Sequence, residues 1–133
     1  TGRHRVRNGR ATYLAHSVEE ANRLIVSEWA NAPQLPAGQL GLIKGCCVQN
    51  VADRKVVCVM LDQETAPVTL VVAHARDVKP PRGEVIDRDG RQFVYHRMGE
   101  VNMVMTVHAE RYICVMSELP ADKLVEIAVS LQF

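Results

Sequence analysis

The sequence specifies an α+β fold, an antiparallel β-meander sheet with an N-terminal and a C-terminal helix packed on it, and three observations lead there. Short apolar or alternating runs recur between residues 40 and 116 with brief polar turns between them, the pattern of successive hairpins. A capping box opens a helix ahead of these runs, and a proline opens another behind them. At 133 residues the chain is the size of one domain.

The elements follow in order. Thr1 to Arg10 holds Arg3, Arg5, Arg7 and Arg10 and no acid, and only Val6 is apolar among its larger side chains. Residues 1–10 therefore read as a flexible basic arm, solvated and poorly ordered, with residues 11–133 as a single α+β domain. In Ser17-Val-Glu-Glu20 the serine hydroxyl can accept from the backbone N–H three residues on, and Glu20 can reach back. Val18, Ala21, Leu24, Ile25 and Trp29 fall on one face of the helix that starts there. It ends before Asn31-Ala-Pro33, because proline disfavours helical geometry in the preceding residue.

A proline-rich connector spans residues 31–39, and strands follow. Leu40 to Val51 and Lys55 to Leu61 form a hairpin about a turn at Asp53-Arg54, with Gly41 and Gly45 hinting at a bulge. Residues 62–67 turn, and Val68 to Ala75 is the third strand. Arg76 to Gly90 is a long loop with a short strand at Glu84 to Ile86 and a turn at Asp89-Gly90. Gln92 to Arg97 returns to the sheet. Val101 to His108 and Arg111 to Met116 then make a central hairpin, the second arm apolar at nearly every position and so covered on both faces. Pro120 begins the last helix, whose stripe is Leu124, Ile127, Ala128 and Leu131.

Composition excludes several function classes. The net charge is only +1, without the basic excess of a general nucleic-acid binder. No apolar run is long enough to span a bilayer as a helix. There is no G-x-S-x-G elbow, no H-E-x-x-H and no glycine-rich phosphate loop, so the chain reads as non-enzymatic. The initial threonine points to a processed form or a piece of a longer chain. The soft donors Cys46, Cys47, Cys58, Cys114, His74, His96, His108, Met103 and Met105 are the atom types that bind zinc, copper or haem iron. Without a C-x-x-C pair or other local ligand motif, they read first as core filling and strand-end histidines, with no metal or cofactor, and a soft-metal or haem module is the alternative. Cys46 and Cys47 are adjacent in a strand, so their thiols diverge, one into the core and one outward as a redox handle or intermolecular link.

From Trp29 onward the order of features resembles the extracytoplasmic portion of bacterial membrane-anchored anti-sigma-factor-like transcriptional regulators. The pieces that carry the resemblance are Pro33-Gln-Leu-Pro36, the strand pair Leu42 to Leu61 with its Gly45-Cys46-Cys47 step, Val68 to Ala73, and Ile113-Cys-Val-Met-Ser-Glu-Leu-Pro120 followed by a helix with Leu124 and Ala128. The resemblance implies a sensory or interaction domain on the periplasmic side of the inner membrane, attached to it through a segment not in this chain, with a protein partner or small signal ligand. The cytoplasmic zinc motif of such regulators, a histidine followed by C-x-x-C, is absent, so sigma binding transfers to no residue here. The arginine-rich head also departs from the pattern, since basic flanks stay on the cytoplasmic side. A homodimer through exposed strand edges is the remaining partner expectation.

Overall fold

The computed structural model describes residues 3–7, 10–15, 17–35, 42–62 and 66–131. Strands β1 (Arg3–Arg7), β2 (Arg10–Leu14), β3 (Leu42–Val51), β4 (Arg54–Asp62), β5 (Pro67–His74), β6 (Glu84–Arg88), β7 (Arg91–Met98), β8 (Val101–His108) and β9 (Arg111–Ser117) form one sheet. Helix α1 (Val18–Glu28) precedes β3, and helix α2 (Ala121–Ser130) follows β9. The strand order is β1-β2-β3-β4-β5-β9-β8-β7-β6, every neighbouring pair antiparallel. The fold is thus α+β, with flanking helices on an antiparallel sheet.

The order departs from a simple meander at one connection. β1 to β5 run up and down in sequence, whereas the chain then crosses to the far edge as β6 and works back through β7 and β8 to β9. β9 and β5 join the two halves over six register pairs, from Thr69↔Met116 to His74↔Arg111. The join is extended at both ends. Ser117 Oγ donates to the Pro67 carbonyl at 3.0 Å, and Ala75 N donates to the Glu110 carbonyl at 3.0 Å. Ser117 Oγ also accepts from Leu119 N at 3.1 Å, which fixes the approach to α2.

Both helices lie on one face. Ala21 and Ile25 of α1 and Leu124, Val125 and Ala128 of α2 share a core with Cys46, Val48, Val57, Val59, Leu61, Val68, Leu70, Val72, Phe93, Val104, Ile113 and Val115. These strand residues occupy alternate positions, as period-two geometry requires. Ser17 Oγ accepts from Glu20 N at 3.1 Å, but Glu20 Oε1 is buried with no partner among the described residues, so the reciprocal half of the capping box is not made. Pro120 is the N-cap of α2 and not its first helical residue, and its carbonyl accepts from Lys123 N and Leu124 N.

Several expectations need adjusting. Arg3–Arg7 pairs with Arg10–Leu14, and β2 pairs with β3, so the basic head contributes an edge hairpin. A ladder requires only backbone donors and acceptors, which arginine-rich residues retain. The short strand expected over Glu84 to Ile86 extends to Arg88. The β3–β4 turn lies at Ala52-Asp53, where φ is 51° and 64°, and the β8–β9 turn at Ala109-Glu110, where φ is 51° and 63°. Asp89-Gly90 makes the β6–β7 turn as the sequence indicates. The register shift between Ile43 and Gly45 is the bulge expected near Gly45. Gly41, the second half of the connector (36–39) and residues 63–65 of the next turn lie outside the described residues.

Two stability changes follow. Ser117→Ala removes both hydroxyl bonds at a site 6% exposed, and urea unfolding is expected to show a loss of about 1–3 kcal/mol. Glu110→Gly relieves a left-handed non-glycine residue in an exposed turn, and the same measurement is expected to show a gain of about 0.5–1 kcal/mol.

Candidate functional site

The sheet face opposite the helices carries a second apolar cluster, Cys47, Val56, Cys58, Ala73, Met105, Tyr112 and Cys114, flanked by Val71, Val78, Val94, Met103 and Met116. Register places its members in rows across the strands. One row runs Cys47, Cys58, Val71, Cys114, Met105, Val94, Val85 from β3 to β6. The next runs Gly45, Met60, Thr69, Met116, Met103, His96. These two rows alone place seven sulfur-bearing residues on this face.

Packed helices do not bury these residues, yet Met105 and Cys114 are only 3% and 4% exposed. The neighbouring side chains of the cluster and the β5–β6 connection both contribute to this. The connection begins with a turn in which Asp77 N and Val78 N donate to the His74 carbonyl. Val78 then packs into the second cluster. At the far end Gly83 lies so close to β7 that a Cβ there would sit 2.8 Å from the Tyr95 carbonyl oxygen and 3.0 Å from Val94 Cγ1. The segment is a strap across the second face, and glycine is what lets it lie flat on β7.

Beside the strap, the face opens into a pocket of about 410 Å³. Val56, Cys58, Val71, Tyr112 and Met116 line its floor, Val78 lines it from the strap, and Gln49, Val51, Ala52 and Arg54 contribute from the β3–β4 hairpin. A second pocket of about 410 Å³ is lined by Met116, Thr69, Val101, Ser117 and Glu118 among others. Met116 lines both, and an unbranched thioether adapts readily to the space around it.

The expected donors are placed as follows. Cys47, Cys58, Cys114, Met103, Met105 and His96 share the second face, whereas Cys46 is buried against the helices. The divergence of Cys46 and Cys47 is as expected, but Cys47 is 4% exposed, so its thiol is sheltered on the second face instead of projecting into solvent. His74 is drawn to α1: its Nε2 is 2.5 Å from the Asn31 carbonyl, and its ring meets Trp29 edge-on at 5.6 Å. His108 is exposed at the end of β8, opposite Arg111. Among the described residues no three histidine, cysteine or acidic side chains are brought together as a metal-binding group. All four cysteines are outside disulfides.

The thiol environments differ. Burial pushes Cys46 up to about 11, helped by the negative charge of Cys47, Glu20 and Glu28. Burial likewise pushes Cys114 up to about 11, against the opposing effect of its hydrogen bond with Tyr112. Burial, then Cys114, holds the Tyr112 phenol above its usual range. Gln49 Nε2 donates to Cys47 Sγ at 3.4 Å. Sequence reading missed Met60, Val71, Val78, Tyr112, Met116, Gln49 and Arg54. The alternation Val56-Cys58-Met60 and Tyr112-Cys114-Met116 was a usable signal for the floor, but Val78 needed the path of the strap.

At pH 7.5 a thiol with a pKa near 11 is a thiolate in roughly one molecule in three thousand. Iodoacetamide is therefore expected to modify Cys46 and Cys114 far more slowly in the folded protein than in urea, the gap narrowing as pH approaches 11. Both folded values lie above the ordinary 9.0, so their contribution to stability is complete below pH 9 and lost as pH rises through about 11. Urea melts of Cys114→Val against wild type across pH 8–11 should show a shallower alkaline decline in the variant. Comparison of the chain with protein-family models, with curated proteins and with solved structures finds no match, so function has to be read from the second face itself.

Proposed function

We propose that the chain is a non-enzymatic sensory or interaction domain, and that the pocket on the second face of its sheet takes the signal, a small apolar molecule with an acidic head. The observation that carries this reading is the pocket's lining. Aliphatic, thioether and phenol side chains supply apolar contact at the floor, while Arg54 and Gln49 stand at one end as the polar groups that orient a ligand. Arg54 offers a planar fork suited to a carboxylate. The pocket's size fits a compact ligand, and Val78 of the strap and Met116 contribute to its walls.

The resemblance to the extracytoplasmic part of anti-sigma-factor-like regulators supports placing this domain outside the bacterial inner membrane, tethered by a segment beyond the chain. Occupancy of the second face would then be the signal passed along the parent protein to a protein partner. The coding sequence upstream of Thr1 tests this parentage: a membrane helix preceded by a sigma-binding segment is expected, and neither being encoded overturns it.

Calorimetric titration with decanoate and decanol tests the pocket. Wild type is expected to bind both, decanoate at least tenfold more tightly. Arg54→Gln is expected to erase that preference, and Val71→Trp, which fills the floor, to weaken binding of both. Failure of wild type to bind either amphiphile overturns the assignment.

A further inference from the structure

Cys47 and Cys58 are directly opposed across β3 and β4, the only two cysteines so related among the described residues. They point to the same face and are 4% and 7% exposed. Opposed residues of an antiparallel pair have Cα atoms about 4.5–5.5 Å apart, inside the range of about 4.4–6.8 Å that a disulfide spans. Neither remaining cysteine competes. Cys46 is on the helix side of the sheet, and Cys114 is two strands from Cys58, with Val71 between them.

We infer that Cys47 and Cys58 form a redox-active dithiol that a hydroperoxide converts to an intramolecular disulfide on the floor of the pocket. Cys58 lines the pocket, so its sulfur is the one a small oxidant reaches. Having released its proton to water, the Cys58 sulfur attacks the terminal oxygen of the hydroperoxide. The O–O bond breaks, the departing alkoxide takes up a proton and leaves as an alcohol, and Cys58 becomes a sulfenic acid. The Cys47 sulfur, oriented by its hydrogen bond from Gln49, attacks the Cys58 sulfur. The S–S bond forms, the S–O bond breaks, and the hydroxyl leaves with the Cys47 proton as water. Two thiols are oxidised by two electrons, and one hydroperoxide is reduced to an alcohol and water. The product replaces two thiols by a rigid bridge beneath the ligand-binding space, and a low-molecular-weight dithiol reverses it.

The test treats the whole chain with hydrogen peroxide, then denatures it, alkylates the remaining thiols and measures intact mass. The double variant Cys46→Ser/Cys114→Ser is expected to lose the mass of two hydrogens and to take up no alkylating agent, as a monomer, with dithiothreitol restoring both thiols. Cys47→Ser and Cys58→Ser are expected not to form the intramolecular bridge, and circular dichroism establishes that each variant is folded. Fragment-ion mapping of oxidised wild type, which depends on no variant, is expected to join Cys47 to Cys58. A bridge mapped to Cys46 or Cys114, a cross-linked dimer, over-oxidation of Cys58 without a bridge, or persistence of both thiols overturns the inference.

Discussion

The placement of β9 between β5 and β8 is the constraint on which the molecule depends. A strand with two antiparallel neighbours must satisfy both ladders at once, and β9 does so with Leu70↔Val115↔Val104 and Val71↔Cys114↔Met105 as consecutive rows. Because β9 is last in sequence but central in space, the chain leaving β5 has to travel to the edge before it can return. That journey creates the strap, which sets Val78 against a face that neither described helix packs on. The apolar composition of β9 on both sides is the local counterpart of this topology.

The two faces of the sheet are built to different ends. On the helix side branched aliphatics and Phe93 fill a closed interior, and polar groups such as Asn102 are held in place by specific bonds, here from Tyr95 Oη at 2.6 Å and to the Leu119 carbonyl at 2.8 Å. The second face is filled by sulfur and small aliphatic side chains under a partial cover. Thioethers and thiols are polarizable and conformationally adaptable, which suits a surface that the strap covers only in part. The distribution of residue types therefore tracks the distribution of openness.

Much of the fold was legible because period-two alternation and turn chemistry act locally. The capping serine at Ser17, the bulge beside Gly45, and the Val101–His108 and Arg111–Ser117 strands all carried such signals. The N-terminal hairpin did not, since its strands are placed by backbone pairing, β1 to β2 and β2 to β3, instead of by an apolar pattern. The turns at Ala52-Asp53 and Ala109-Glu110 lacked the glycine or asparagine that left-handed positions favour, and the polar pair Asp53-Arg54 marked the first of them one residue late. The soft donors were recognisable by type, but their sorting between faces depended on register. Cys46 and Cys47 were separable by adjacency alone; the facing of Cys47 by Cys58 required the hairpin's turn to be located to the residue.

Among the described residues the sheet consists of two runs of antiparallel neighbours, β1 to β5 and β6 to β9, and the β5–β9 ladder is where they pair. Such a join closes a long loop, whose entropy cost the hairpins on either side do not bear. Parting there would split the floor between Val71 and Cys114 and unseat the strap in the same event. The union of the two halves and the floor of the sulfur-rich surface thus share one seam.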